Sequence, residues 1–421
     1  MEFFQKLGSL VTARWKKFDF NEADFSQVAC EALVECPPDR HVSFNDVVRW
    51  ALTCDDLPNQ ADLEANFGHP PLTVHSGREF RIEILFWVQG ITAIHQHSFS
   101  GAFHVMHGSS LQTVWEFETT DRIATRLALG QLFLRKAEFL RKGDIRPIIA
   151  GKPLIHSTFH LDCPSATVVI RTLIETDKLP QYSYLPPTIA YSPLEEIPDI
   201  RRRVQLLRML LRAGKRGDYD EIMTSLLETE DSSSVFHYLY ATYLSIKEED
   251  ERRKLLICAA FKHPKLAAAL ELALAYQERT LRILKIRDHV SNHDLQFFLA
   301  LLVNIPERSA ILDLVRQRHP SRNPVDTIVS WIRQLSRTGL LGCSFNESWL
   351  LVLRCLLSQL TDDEICQAYC ARYKSERTHH LETELKKLSL GLREYWFLQP
   401  LLGAGIDQGV QENGVLTMGG L

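Results

Sequence analysis

Long apolar runs are missing from this sequence. None of its 421 residues lies in a stretch that approaches the roughly 18 to 20 uninterrupted apolar residues needed to cross a bilayer. The first 18 residues, MEFFQKLGSLVTARWKKF, carry too much charge and too short an apolar run for a secretory signal. We therefore expect a protein with no membrane span that stays in the cytoplasm.

Paired cysteines and an excess of one charge are missing as well. The nine cysteines are scattered and odd in number, and no two of them form a C-x-x-C pair. This usage excludes a compact disulfide framework and favours a reducing compartment. The net charge of -4 gives no general attraction to nucleic acids or to anionic membranes. No nucleic-acid partner is expected.

What the sequence does have is a change of pattern near its middle. From about residue 72 to 176 it consists of short β-rich runs separated by glycine, proline and serine, which is typical of a closed barrel or sandwich. From residue 199 onward it has long helical patterns interrupted by proline and capping residues. The expected fold is α+β and multidomain, with a β-barrel followed by an all-α helical domain.

These patterns predict five segments. They are residues 1–20 as an N-terminal helix, 21–180 as the barrel domain with leading helices, 181–199 as a proline-rich linker, 200–402 as the all-α domain and 403–421 as a disordered glycine-rich tail. The first helix is amphipathic, which favours packing on the barrel over binding to a membrane surface. The stretch from Lys178 to Asp199 holds five prolines, so it is predicted to be an extended linker or a strap over the barrel.

Histidines carry the clearest chemical signal. His95 and His97 are separated by one residue in a strand-like run, and residues two apart in a strand point to the same face. They can therefore hold a metal ion together. His156 occupies a similar setting downstream, after a glycine and proline turn and before another strand-like run. Three imidazoles suit iron, zinc, copper or nickel, so the ligand type alone does not choose the metal.

This arrangement resembles the first and second motifs of the cupin superfamily. That family has H-x-H, a short gap, usually Glu, then six residues and Gly. Gly108 matches the family glycine, whereas Gly101 or Ala102 stands where the Glu should be. The resemblance, over roughly residues 20 to 180, is therefore to the three-histidine branch typified by cysteine dioxygenase. It implies a cupin β-barrel (double-stranded β-helix) that holds Fe(II) through the three histidines.

The sequence departs from that branch where substrate is recognised. The Arg that grips the carboxylate of cysteine aligns at or near Pro71. The Ser-His-Tyr series that accompanies the third ligand aligns with Val169, Arg171 and Leu173, and none of these matches. The comparison favours the metal site and disfavours cysteine as the substrate.

Two further residues are candidates for a role in catalysis. Arg171 aligns with a histidine that points into the cavity of the family enzymes, so its guanidinium could grip a carboxylate or phosphonate beside the metal. An ion pair with Glu83 or Glu116 is an equally good interpretation. His160 aligns with an Asn of many cupins and could line the rim or support the ligands.

The sequence leaves the orientation of two further histidines undecided, and it assigns two aromatic residues near the site to the core. Simple strand alternation directs His104 inward and His107 outward, but alignment of Gly108 with the family glycine reverses this. Trp87 and Phe103 are assigned to the core.

The function that this sequence favours is a non-haem iron oxygenase. Its expected substrate is a small anionic or sulfur-containing metabolite, or a side chain on a carrier or peptide, bound to the metal through a thiolate, amine or carboxylate. The helical domain would present the substrate or bind a protein partner. The alternative is a cupin without catalysis that senses a metal or ligand, with the helices as its interaction surface. An open cavity at the three imidazoles would favour the enzyme.

Overall fold

The computed structural model describes residues 1–60, 67–88, 90, 92–173, 175, 181–193 and 198–403. The predicted glycine-rich tail lies outside these residues, apart from Gly403, as does part of the predicted linker. The chain forms two compact units, Met1–Glu278 and Arg279–Leu421. Among the described residues, no helix is both long enough and apolar enough to cross a bilayer.

The first unit begins with four helices: α1 (Glu2–Trp15), α2 (Glu22–Glu35), α3 (Pro38–His41) and α4 (Phe44–Thr53). α1 buries Phe4, Leu7, Val11 and Trp15, whose spacing of three or four residues puts them on one face. This face joins a cluster with apolar side chains of the first sheet. The leading helices therefore cover one outer face of the β-structure.

The first sheet is antiparallel, in the order β1-β2-β9-β4-β7. Its strands are β1 (Pro71–Ser76), β2 (Phe80–Trp87), β4 (Gly101–His107), β7 (Ile145–Ile148) and β9 (Ser165–Thr172). Alternation divides each strand between two faces. On β2, Ile82 and Ile84 pack against the helices, whereas Glu83, Leu85 and Trp87 line an interior cavity.

The second sheet closes on itself in the order β10-β11-β6-β5-β8-β3. Its strands are β3 (Ile94–Gln96), β5 (Ser110–Ala124), β6 (Leu127–Leu140), β8 (Ile155–His160), β10 (Ser183–Leu185) and β11 (Ile189–Tyr191). β10 pairs with β3 and thereby completes the ring. Both β10 and β11 come from the segment predicted as a linker. They can pair because Pro186 and Pro187 stand between the two strands and leave their backbone N–H groups free.

Helices complete the first unit. They are α5 (Pro198–Arg212), α6 (Arg216–Thr229), α7 (Ser232–Thr242), α8 (Glu249–Lys262) and the first part of α9 (Pro264–Asp288). Leu127, Leu129 and Ile189 of the second sheet share one buried cluster with side chains of these helices.

The second unit is helical throughout its described part. After the end of α9 it contains α10 (His293–Asn304), α11 (Arg308–Arg318), α12 (Pro324–Arg337), α13 (Glu347–Leu357), α14 (Asp362–Tyr373), α15 (His379–Glu394) and α16 (Gln399–Leu402). Its core includes Phe298, which packs against Trp331 and Phe397 with ring centroids 5.4 and 6.3 Å away. The predicted fold class, a cupin-like β-region followed by a mainly helical region, is confirmed.

Candidate metal centre

Two neighbouring strands bring the three predicted ligands together. His95 on β3 lies directly opposite His156 on β8, and His97 follows at the end of β3 on the same face. One ring nitrogen from each of the three lies within 4.8 Å of the others. The Nε2 atoms of His97 and His156 are only 2.8 Å apart. All three side chains are buried.

Hydrogen bonds on the far side of the rings orient two of the imidazoles. Nδ1 of His95 donates to the Ala93 carbonyl over 2.8 Å, which leaves the Nε2 lone pair free. Nδ1 of His156 lies 3.2 Å from Nε2 of the Gln112 amide, whose Oε1 has no hydrogen-bond partner among the described residues. Rotation of this amide by 180° would let Oε1 accept the Nδ1 proton and leave Nε2 of His156 as a lone pair.

Electrostatics keep these imidazoles uncharged. Burial lowers the pKa of His95 and lowers the pKa of His97 and His156 well below the ordinary value. The neighbouring histidines and Arg171 lower the pKa of His97 further. Neutral imidazoles with lone pairs directed at one point would repel each other, and a shared cation would remove that repulsion. The residues present therefore fit a divalent metal ion held by three nitrogens.

A cavity of about 490 Å³ adjoins the three imidazoles. Apolar side chains of the first sheet and of nearby connections make up most of its wall, including Leu85, Phe103, Val105, Ile148 and Val169. Phe67 and Gln181 also line it and are partly exposed, so the cavity reaches the surface. A small molecule could therefore approach the three nitrogens.

Arg171 lines this cavity but is not a lone cation. Its Nε donates to Glu83 over 2.8 Å, and its guanidinium carbon lies 4.3 Å from the centre of the Phe99 ring. Glu83 also pairs with Arg81, over 3.1 Å. The ion pair with Glu83 is thus present, whereas Glu116 pairs with Arg135.

His160 lines the same cavity, four residues beyond His156 on β8. Its ring stacks on Trp87, with centroids 4.4 Å apart and an interplanar angle of 17°. Nδ1 lies 3.0 Å from the Ser110 hydroxyl and 2.9 Å from the Ser165 hydroxyl. Burial lowers the pKa of His160 to about 3, so the ring is neutral. His160 does not join the group of potential metal ligands found among the described residues.

The two histidines of β4, His104 and His107, face away from the cavity. His104 packs toward the helices, where Nε2 lies 2.9 Å from the Asp39 carboxylate. The pairing of β4 with β9 is irregular between Val105 and His107, and the centre of the His107 ring lies 5.1 Å from that of the Phe44 ring. Because the irregularity follows Val105, it changes the direction of His107 but not of His104, so neither aims inward.

Several residues at the site escaped the sequence-based prediction. Trp87 and Phe103, assigned to the core, do belong to a buried apolar cluster, but they also line the cavity. The hydrogen-bond partners of the imidazoles, Gln112 and the two serines, were not identified. Strand alternation is a signal that could have found Ser110 and Gln112, since they occupy the same face of β5, but it required the β5–β8 register.

Comparisons with known proteins found only remote similarities. No protein-family model matches the sequence, and no curated protein is significantly similar to it. Solved structures that resemble part of the chain include a cupin-2 domain protein from Shewanella frigidimarina, with 16% identity over 32% of this chain and 96% of that one, and a TM-score of 0.19. Hydroquinone 1,2-dioxygenase from Sphingomonas sp. TTNP3 has 13% identity over 26% and 70%, with a TM-score of 0.21. A cupin-superfamily sugar phosphate isomerase from Silicibacter pomeroyi has 15% identity over 30% and 65%, with a TM-score of 0.20. Similarity this remote transfers no activity to the present chain.

Proposed function

We propose that the protein is a metal-dependent cupin oxygenase, related in mechanism to the thiol dioxygenases. The observation that carries this proposal is the convergence of three buried, neutral imidazoles on the wall of a cavity of about 490 Å³ that opens to the surface. The ligand set contains no carboxylate. By resemblance to the three-histidine branch we propose Fe(II), although imidazole ligands would also hold zinc, copper or nickel.

Each group of residues at the site has its own proposed role. His95, His97 and His156 would hold the ion, and the ion when bound would supply open positions for the substrate and for dioxygen. Gln112 and the Ala93 carbonyl fix the orientation of two of the rings. The apolar cavity wall excludes water and positions the substrate against the ligands.

The charge balance favours an anionic group on the substrate. Three neutral ligands leave the full charge of a divalent ion uncompensated. The guanidinium groups of Arg81 and Arg171 lie close to the site, and both pair with the carboxylate of Glu83. A further buried carboxylate, Glu175, accepts hydrogen bonds from Ser100 and Thr172 and does not line the cavity. A thiolate or carboxylate of the substrate would thus be stabilised next to the metal.

Free cysteine is not the proposed substrate. By the resemblance, the carboxylate-gripping Arg would stand at or near Pro71, which lines the cavity and has no group to bind a carboxylate. The wall is mostly apolar and the cavity is spacious for so small a polar molecule. We propose a substrate with an anionic or sulfur-containing head and an apolar body.

One observation favours the alternative, a sensor without catalysis. Nε of Arg171 is already occupied by Glu83, as expected of a structural ion pair. Such a protein would bind metal and ligand but would not consume dioxygen.

The experiment begins with the metal content of the anaerobically purified protein, before and after incubation with iron(II). Near-stoichiometric metal is expected, and it should be lost in His97→Ala and His156→Ala. The control is His107→Ala, because this histidine lies outside the cavity and should leave metal content unchanged.

Dioxygen uptake then separates the two functions. The iron-loaded protein is tested with small thiols and with thiol or amino carboxylates that carry an apolar tail. Uptake that depends on His97 and His156 supports the oxygenase. A protein that takes up no metal refutes the proposal, and a metal-loaded protein that binds these compounds without consuming dioxygen is the sensor.

A further inference from the structure

Two cysteines face each other across one turn of α14, in the second unit. Cys366 and Cys370 lie on the same side of that helix, because residues four apart are neighbours on its surface. The thiol of Cys366 interacts directly with that of Cys370. No other two cysteines of the sequence have this spacing. The pair is therefore a candidate for chemistry that needs two sulfur atoms.

The surroundings of the pair give a small ligand access to both sulfurs. Cys370 is partly exposed at the surface of the helix. Cys366 is only 2% exposed, but it lines a cavity of about 290 Å³ whose other lining residues include Leu385 and Ser389 of α15. An ion can therefore reach one sulfur from solvent and the other from the cavity.

The helical spacing disfavours a disulfide and suits an ion that lies between the sulfurs. Side chains four residues apart in a helix have Cβ atoms about 5 to 6 Å apart, whereas a disulfide needs about 3.5 to 4.5 Å. A direct S–S bond would thus distort α14. A metal–thiolate bond is about 2.3 Å long, so one ion can join sulfurs that are up to about 4.6 Å apart. The regular helix therefore fits a bridging ion.

The number and type of the ligands select this ion. A structural zinc site has four protein ligands, and an iron–sulfur cluster is usually held by four cysteines. In the part of the chain that the structure describes, three or more potential ligands come together at the three histidines alone, so no third ligand joins the two sulfurs. Thiolates are soft ligands, which prefer Cu(I) among the biological metals. This monovalent ion accepts two sulfur ligands.

We propose that Cys366 and Cys370 form a separate metal site, which binds one Cu(I) ion between their two thiolates. The site goes beyond the proposed oxygenase function and does not depend on it. Each copper–sulfur bond replaces an S–H bond and releases its proton to solvent, and no electron is transferred.

The protonation of Cys366 makes this binding dependent on pH. Burial raises the pKa of the Cys366 thiol, and the contact with Cys370 raises it further. Arg377, which lines the same cavity, acts in the opposite direction and favours the thiolate. Because the bound form needs the thiolate, the affinity for Cu(I) should increase as the pH rises.

Competition between the reduced full chain and the Cu(I) chelator bathocuproine disulfonate, without oxygen, measures this affinity. The parent protein should retain one equivalent of Cu(I). Cys366→Ser and Cys370→Ser should each weaken binding by more than about 100-fold, the upper end of the loss caused by changing an outer partner of a metal site. Cys258→Ser is the matched control, since this partly buried cysteine of α8 has no second cysteine one turn away.

Two further measurements separate this site from the histidine centre. His97→Ala should hold the copper as tightly as the parent protein does. Copper X-ray absorption on the copper-loaded parent identifies the donor atoms without any substitution and should find two sulfurs. Nitrogen donors, loss of the copper in His97→Ala, retention of the copper in both serine variants, or release of all copper to the chelator would each overturn the inference. None of these outcomes affects the proposed oxygenase function, which rests on iron and dioxygen uptake.

Discussion

At the scale of single residues, the shared carboxylate of Glu83 determines what Arg171 can do. Arg81 and Arg171 lie directly opposite each other in the register of β2 and β9, an arrangement that is unfavourable for like charges. Glu83 reaches both guanidinium groups from the same face of β2. The carboxylate therefore relieves the repulsion and at the same time limits the hold of Arg171 on a ligand.

Removal of the Glu83 charge should show both effects separately: the relief of repulsion in the stability of the protein, and the restraint on Arg171 in its affinity for an anion. Glu83→Gln should lower the free energy of unfolding by about 3 kcal/mol, because it removes the carboxylate that binds the buried guanidinium of Arg171 and the partly buried guanidinium of Arg81. The same change should tighten the binding of an anionic ligand at the metal end. Urea unfolding and titration of the metal-loaded protein with a short alkyl carboxylate measure the two quantities.

The control for this prediction is Glu116→Gln. Its carboxylate pairs with Arg135 on the exposed side of the sheet, where an ion pair contributes only about 0 to 1 kcal/mol. Equal destabilisation by the two substitutions, or weaker anion binding by Glu83→Gln, would contradict the role assigned to Glu83.

The ease with which these residues could be predicted depended on the distance over which their contacts form. His95 and His97 were recognisable because a period of two residues is a local property of a strand. The choice of Glu83 as the partner of Arg171 was not, because the two are 88 residues apart and meet only through the β2–β9 register. The direction of the His107 side chain depends on an irregularity in β4 that no pattern in the sequence predicts.

At the scale of elements, β4 explains why this strand adds no carboxylate to the three imidazoles. The resemblance to cupins would place a Glu at Gly101 or Ala102. A Cβ atom at Gly101 would come within 2.0 Å of the Ile170 carbonyl oxygen on β9, so no side chain fits there. Ala102 faces the helices and lies in their apolar cluster. The close pairing of β4 with β9 thus excludes a side chain at Gly101, and the orientation of Ala102 toward the helices excludes a ligand there.

Gly101→Ala should therefore destabilise the protein, with an expected loss of about 2 kcal/mol or more in the free energy of unfolding. The cause is the displacement of β4 from β9. Gly217→Ala in α6 is the matched control, because a Cβ there meets nothing within 4 Å and helix propensity favours alanine. Chemical denaturation of both variants measures the difference. A Gly101→Ala protein as stable as the parent would mean that β4 can move at little cost.

At the scale of the whole molecule, the switch from strands to helices is not the boundary of the first compact unit. The pattern changes at residue 199, yet this unit continues to Glu278. Leu127 and Leu129 of β6 are buried together with Leu207, Tyr219 and other side chains of the following helices. A sequence pattern identifies the type of each element, but it does not reveal which helices cover which face of a barrel.

Truncation tests this division. A chain that ends at Ser192 keeps every strand that the structure describes but loses the helices that cover Leu127, Leu129 and Ile189, so it should aggregate and bind an apolar dye. A chain that ends at Glu278 keeps the whole cluster and should unfold in one cooperative transition while binding the metal as the full chain does. Light scattering, dye fluorescence and metal content compare the two fragments. If the shorter chain is monomeric and as stable as the longer one, the barrel is complete without α5 to α9, and those helices must serve the substrate or a partner and not the fold.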